Sequence, residues 1–317
     1  MKILGTGSSL PENEVTNKML SAVIDTNDEW ISSRTGIRSR RTASGDTTLS
    51  LAVEASRKAL AAAGVDPKDI SLVICATATT EHLTPALACL VSRDLGLRER
   101  VLAFDLNAAC TGFIYSLIVA SRMLCGGEFA LIIGSEVLSR VVDYGDRSTA
   151  VLFGDGAGAV VLRHSDDEFF HVAGARGDGE ALLIGSVPPA KNPFASPFEP
   201  PPPFIRMDGQ EVFRFAVGAM SRSIADVLKT AGVDAGDVDH FVCHQANRRI
   251  IESAAKRLKT PVEKFFINIE NRGNTSAASI PIALDELNST GALKRGDRVV
   301  LAGFGGGLTY GAVYMVW

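Results

Sequence analysis

Residues 63–79, AGVDPKDISLVICATAT, are answered 168 residues later by residues 231–247, AGVDAGDVDHFVCHQAN. Each reads as a helix end closing on glycine, an acidic turn, and a β-branched strand that carries a cysteine. The match continues at nearly the same spacing. Gly127–Glu136 (GEFALIIGSE) pairs with Gly296–Gly305 (GDRVVLAGFG), and the strand–turn–helix pattern of Val101–Gly126 reappears over Phe265–Asn288. The opening KILGTGSSLP has a looser echo, FHVAGARGDG, near Phe170–Gly179. A repeat of this length confines the chain to two similar halves, about 1–168 and 169–317. Within them, apolar periodicity predicts helices over 49–63, 85–95, 208–232 and 247–258, alternating with strands. Strands separated by crossover helices imply mostly parallel, buried sheets. The stretches 111–126 and 275–288 are apolar enough to be covered on all sides, so they are expected as a helical layer between two sheets.

Composition removes several classes of function. The net charge of -4 gives no global basic field, so nucleic acid is not an expected partner. Five cysteines without a C-x-x-C spacing argue for a reducing compartment and against a disulfide framework or a zinc site. The N-terminus has no charged-then-apolar leader, and no apolar run reaches membrane-spanning length. The expectation is a cytoplasmic protein with no membrane partner. Ser186–Phe204 (SVPPAKNPFASPFEPPPPF) breaks the α/β pattern; proline at this density predicts a loop, either a functional edge or a plain surface segment.

Chemistry concentrates at the ends of the repeat units. Val101–Leu106 reads as a short buried strand that turns through Asn107, Ala108 and Ala109 to Cys110, where an almost uncharged helix begins. A helix N-terminus gathers unpaired N–H groups and lowers a thiol's pKa below its free value of about 8.5. Taken alone, the stretch leaves two readings open, a core cysteine and a nucleophile. Asn274, in ENRGNTSAAS, lies at the same kind of turn in the second half, and His244 ends the second repeat strand. A pseudo-twofold relation between the halves would bring Cys110 and Asn274 face to face, with His244 one strand away. Cys243 precedes His244 in a strand, points to the other face, and reads as core. Gly303–Gly307 (GFGGG) adds a glycine run after a strand, where the N–H groups of Cys110 and Gly306 could form an oxyanion hole.

At these residues the chain resembles the thiolase-like condensing enzymes, and more closely the β-ketoacyl-acyl-carrier-protein synthase III group. The resemblance covers nearly the whole chain through GTGSSLP, DTNDEWISSRTGI, FDLNAACTGF, FGDGAGAVVL, DGQEVF, HQANRRI, RGNTSAAS and GFGGGLTYGA. It implies an α/β fold of the thiolase-like, duplicated five-layer αβαβα kind, and an acyltransferase that begins fatty-acid chains without a cofactor or a metal. The Cys, His, Asn order sets this group apart from elongating synthases, which carry a second His at the position of Asn274, and from thiolases with a second Cys.

Carried over, Cys110 takes an acyl group from acyl-CoA, and malonyl-acyl-carrier protein then binds. His244 and Asn274 hydrogen-bond the malonyl thioester oxygen as it becomes an enolate, and Phe304 crowds the departing carboxylate. The resemblance also places Trp30, Arg34, Arg147 and Arg249 against CoA. It places Gln245, Ala246, Asn247, Arg248 and Arg249 against the carrier protein, Thr84 and Phe153 at the acyl pocket, and a second copy of the chain as a homodimer partner. From the residues themselves, Arg248, Arg249, Lys256, Arg257 and Lys259 make a basic cluster on a mildly acidic protein. Such a run is either a solvated helix face or a dock for an acidic carrier. Thr84 stands where many relatives have an aromatic that reaches across the dimer interface into the acyl pocket, which implies a larger cavity and longer or branched primers.

Overall fold

The computed structural model describes residues 1–177, 181–185, 194 and 203–317. Nearly all of the proline-rich segment 186–204 therefore lies outside the described residues. In chain order the strands are β1 (Lys2–Ser9), β2 (Glu14–Thr16), β3 (Ser39–Arg41), β4 (Ile70–Ala76), β5 (Leu102–Leu106), β6 (Phe129–Glu136) and β7 (Gly156–Arg163). They continue with β8 (Phe169–Ala175), β9 (Leu182–Ile184), β10 (Ile205–Met207), β11 (His240–Cys243), β12 (Arg298–Gly305) and β13 (Thr309–Val316). One five-stranded sheet runs β1-β7-β6-β4-β5 and one four-stranded sheet runs β8-β13-β12-β11. The second repeats the first strand for strand, except that β5 has no full counterpart. Where the repeat predicted a strand near Phe265, a single bridge to Phe241 remains.

Both sheets are mixed, which corrects the expectation of mostly parallel pairing. Only β4 with β5, β4 with β6, and β11 with β12 run parallel among the described strands. The remaining neighbours are antiparallel because β12 turns directly back into β13, and β7 lies antiparallel between β6 and β1. Nor is β5 a buried strand. It closes the edge of its sheet, and Leu102 is 51% exposed.

Helices fill three layers. Thr48–Ala63 and Leu87–Asp94 cover the outer face of the first sheet. The former starts with a capping box, Thr47 with Ser50, and stops at Gly64 in the left-handed region. Gly209–Ala231 and Arg248–Leu258 cover the outer face of the second sheet. Gly112–Met123 and Ser279–Ser289 lie between the sheets and touch both. Their apolar side chains join Leu72, Ile74 and Ile132 of one sheet to Val242, Leu301 and Val313 of the other in one core. Burying a leucine or isoleucine there contributes about 2 kcal/mol per side chain. The Ser279–Ser289 helix is not apolar throughout. Asp285 emerges at its edge to accept from Thr6 and Ser8 at 2.7 and 2.6 Å, and Glu286 pairs with Arg272 at 2.7 Å. Among the described residues no helix is long and apolar enough to cross a membrane.

Candidate active site

The two middle helices enter through matching turns. In the first half, Asn107 Oδ1 accepts from Ala109 N at 3.3 Å, Ala109 takes a positive φ of 47°, and a tight turn over Ala109–Thr111 leads into the helix. In the second, Asn274 Oδ1 accepts from Ser276 N at 2.9 Å, Ser276 takes φ 50°, and the turn covers Ser276–Ala278. An Asx turn followed by a left-handed residue reverses the chain within three residues and points the next side chain toward the other half. Cys110 and Asn274 thus lie at the same kind of turn, as the repeat predicts, but at different places within it. Asn274 corresponds to Asn107, and Cys110 corresponds to Ala277.

The Cys110 turn is anchored to the opposite half. Thr111 Oγ1 hydrogen-bonds Thr309 Oγ1 on β13. Gly305, at the end of β12, lies so close that a Cβ there would stand 2.8 Å from Cys110 N. Gly305 is thus the glycine against the Cys110 backbone, while Gly306 lines an adjoining cleft with Ala108 and Ala109. Cys110 is 6% exposed. Burial pushes its thiol up to about 12, with the Glu136 carboxylate raising it further and a hydrogen bond from Ser276 opposing the rise. The lowered thiol pKa expected from the helix N-terminus is not what the fold produces. A thiolate in this dry position loses more solvation than the helix end returns.

His244 follows β11, and its backbone N–H donates to Ala302 O at 2.8 Å. Its Nδ1 lies 2.6 Å from Ser279 Oγ at the start of the second middle helix, and the Phe304 ring meets it edge-on at 5.2 Å. Burial pushes the imidazole down to about 3, so the ring is neutral at neutral pH. Asn274 is held by its backbone, donating to Leu152 O at 2.9 Å and accepting from Gly154 N at 3.0 Å. With Oδ1 engaged by Ser276, its Nδ2 has no acceptor among the described residues. Cys243 packs in the outer core, away from His244, as alternation along a strand requires.

Cys110, His244, Asn274 and Phe304 line one cavity, with Phe153, Leu152, Phe213 and Asn247 among its other walls. Phe213, Gly209 and Asn247 also line a cleft at the surface, where Arg34, Arg214, Arg249 and Arg257 gather. The cavity that holds the buried thiol thus adjoins a cationic cleft, with Gly209, Phe213 and Asn247 lining both. Beside that cleft, the Arg34 and Arg147 guanidinium groups lie 4.6 and 5.0 Å from the centroid of the Trp30 ring. Asn247 caps the Arg248–Leu258 helix and donates to Arg34 O at 2.9 Å, tying the two sides of the cleft together.

One residue sits differently from the sequence expectation. Gln245 is 1% exposed, and its amide donates to Cys243 O and Phe266 O at 2.9 and 3.0 Å. It braces the loop from inside and offers no surface to a docking protein, whereas Arg248 and Arg249 are exposed and Ala246 faces the cavity. Thr84 is exposed and lies away from the cavity of its own chain, which is where a residue expected to reach across a dimer interface belongs. Sequence reasoning also passed over Ser279, which holds the His244 ring, and Phe213, which lines both cavity and cleft. Both fall inside ordinary helical patterns, where nothing local separates them from packing residues.

Comparison with known proteins agrees with this geometry. Residues 104–178 match the family 3-Oxoacyl-[acyl-carrier-protein (ACP)] synthase III, and residues 228–317 match its C-terminal region. The chain is 46% identical to a beta-ketoacyl-[acyl-carrier-protein] synthase III of Clostridium acetobutylicum, over all of this chain and 98% of that protein. It superposes on the 3-oxoacyl-[acyl-carrier-protein] synthase III of Aquifex aeolicus with a TM-score of 0.91 and 44% identity, covering 100% and 99% of the two chains. The priming beta-ketosynthase of the R1128 polyketide pathway gives a TM-score of 0.90 at 39% identity, covering 99% of this chain and 95% of that one. With a duplicated thiolase-like sandwich, a buried thiol and a shared cavity already in place, these matches show that the chain belongs to the 3-oxoacyl-[acyl-carrier-protein] synthase III family.

Proposed function

We propose that the cavity carries out a decarboxylative condensation that joins an acyl-CoA primer to malonyl-acyl-carrier protein. The observation that carries this reading is the meeting of a thiol, a neutral imidazole and a carboxamide with a free Nδ2 in one apolar cavity that adjoins a cationic cleft. Phosphates of CoA or of a carrier's prosthetic arm suit Arg34, Arg249 and Arg257, and the adenine suits Trp30 between arginines. The Cys110 sulfur attacks the primer thioester and CoA leaves as a thiolate. In the second half-reaction the malonyl carbon–carboxylate bond breaks and CO2 departs. The developing enolate oxygen takes hydrogen bonds from Asn274 Nδ2 and His244 Nε2. For Nε2 to carry the proton, Nδ1 accepts from the Ser279 hydroxyl, an arrangement the 2.6 Å separation fits. Neutral donors suit an enolate formed from a leaving carboxylate, since a charged imidazolium would hold that carboxylate in place. The carbanion then attacks the acyl carbon, backbone N–H groups at Cys110 and Gly306 hold the oxyanion, and collapse releases the sulfur.

In this reading the halves 1–168 and 169–317 divide the work: the first supplies the nucleophile and the second the decarboxylating pair. The Arg248–Leu258 helix docks the acidic carrier, and the open edge of β5 pairs with a second copy of the chain. The test is mass spectrometry of intact protein after incubation with acetyl-, isobutyryl- and octanoyl-CoA, followed by malonyl-carrier protein and a CO2 assay. An acyl adduct on Cys110 that disappears as CO2 and a β-ketoacyl product form supports the reading. Free acid without CO2 would instead mark a thioesterase.

A further inference from the structure

Arg40 stands in the middle of β3 and is 1% exposed. Its Nη1 donates to Asn17 Oδ1 at 2.8 Å and to Val15 O at 3.2 Å, and its Nη2 donates to Val151 O at 2.6 Å. Among the described residues its Nε has no acceptor and no carboxylate pairs with it. Burial pushes the guanidinium down to about 10, so it keeps its charge at neutral pH. A buried charge without a counter-ion is costly, and a methionine would fill similar space without that cost. Packing alone does not call for an arginine here. What the arginine holds is the floor under Asn274. Val151 opens the segment 151–154, whose Leu152 and Phe153 line the cavity. Leu152 O and Gly154 N take both backbone groups of Asn274, at 2.9 and 3.0 Å, so that Phe153 and Asn274 form an isolated parallel bridge. The stem of Arg40 lies against both strands of that bridge: a Cβ on Gly154 or on Gly273 would stand 3.2 Å from Arg40 Cβ. On its other side, Asn17 is 1% exposed and donates through Nδ2 to Asp28 Oδ1 at 2.8 Å and Ile37 O at 2.7 Å. Asp28 begins the helix Asp28–Thr35, which carries Trp30 and Arg34 beside the cationic cleft.

We propose, resting on the condensing reading above, that Arg40 is a positioning residue for Asn274: its guanidinium fork fixes the segment 151–154 and, through the bridge, the carboxamide that meets the enolate. Asn274 Oδ1 is taken by Ser276 N while Nδ2 is left for the substrate, so the aim of Nδ2 depends on the backbone that carries it. A displacement of about 1 Å at such a group costs about 100-fold in rate. A planar fork with several N–H donors reaches oxygens on three separate segments at once, which the single ammonium of a lysine does not. Cys110 rides on a turn anchored at Thr309 and Gly305 and shares none of these bonds. The effect of Arg40 therefore belongs to the decarboxylating half-reaction. Arg40 touches neither substrate nor sulfur and acts through Asn274.

The test separates the two half-reactions in a double-mutant cycle of Arg40→Met with Asn274→Ala. Acylation by acetyl-CoA is followed by rapid quench, and CO2 release is then followed on adding malonyl-carrier protein. Acetyl-CoA is the smallest primer, so a shift of Phe153 weighs least on acylation. Arg40→Met is expected to lower CO2 release about 100-fold and acylation less than about threefold, with Arg40→Lys between it and wild type. On the Asn274→Ala background, Arg40→Met is expected to cost no more than about twofold further, because the group it positions is gone. A loss of the same size in both half-reactions, or a further loss of about 100-fold on the Asn274→Ala background, overturns the proposal. The cycle is run with Arg40→Lys as well, which decides if the methionine variant does not fold. Crystal structures of the Arg40 variants are expected to show the Asn274 carboxamide displaced from His244 by about 1 Å with Cys110 in place; an unmoved Asn274 also overturns the proposal. A wild type that acylates but releases no CO2 would defeat the condensing reading, while the crystal structures would still judge whether Arg40 holds Asn274.

Discussion

At the scale of single residues, burial sets the chemistry. His244 and Glu136 are both forced toward neutrality, and their effects on stability have opposite signs. An imidazole that is neutral when folded gives up stability as pH falls below its unfolded value of about 6.5, because the unfolded chain then binds the extra proton. A carboxyl raised to about 7 when folded gives up stability as pH rises from about 4.5, because the folded chain then holds the extra proton. Urea titrations of wild type and Glu136→Gln should therefore diverge across that window, wild type losing up to about 1.4 kcal/mol per pH unit relative to the variant as pH rises. A constant difference would place the carboxyl in a different state from the one described. On the catalytic side, Asn274→Ala should lower CO2 release by about 100- to 1,000-fold, the effect of losing one donor at a developing oxyanion. Acylation of Cys110 should change far less. A parallel loss in both half-reactions would remove Asn274 from the decarboxylating role.

At the scale of elements, function depends on how closely turns and strand ends approach. Gly305→Ala would set a methyl 2.8 Å from Cys110 N and displace the nucleophile turn. Turnover should drop at least about 100-fold, as expected when reacting groups shift by about 1 Å. An active Gly305→Ala enzyme would show that the turn has room to move. On the surface, Lys256 projects from the Arg248–Leu258 helix outside both cavity and cleft. Lys256→Glu should raise KM for the carrier protein about tenfold and leave KM for acyl-CoA unchanged; equal effects would count against docking on this helix.

This is also the scale at which the sequence was most and least readable. Helices such as Thr48–Ala63 were legible from apolar period and a closing glycine, and the halves from the repeat. Strand direction was not, because it depends on which neighbour a strand finds. A hairpin like β12–β13 looks locally the same as the start of a crossover. The motifs located Cys110, His244 and Asn274. They could not reveal that Gln245 turns inward, or that Ser279 holds the His244 ring, since both facts arise from the packing of elements distant in the chain.

At the scale of the molecule, the middle layer joins what the repeat divided. Phe113 and Leu117 from one half share a core with Ile280 and Leu284 from the other. Leu117→Ala should cost about 2–5 kcal/mol and lower a single unfolding transition. Two separated transitions in calorimetry would mean that the halves melt independently. The exposed edge of β5, with Leu102 at 51% exposure, gives the second whole-molecule expectation. On the pairing proposed along β5, Leu102→Lys should shift sedimentation toward monomer; a dimer that persists in the variant would move the interface elsewhere.

The sulfur and the carboxamide it works beside hang on two hairpin bends that meet only because slabs of hydrocarbon hold them there. Their separation is governed by distant packing, so small losses of cohesion reach the reaction before they reach the architecture. On warming, such a catalyst should fall silent while its spectrum still looks folded, and should resume work on cooling.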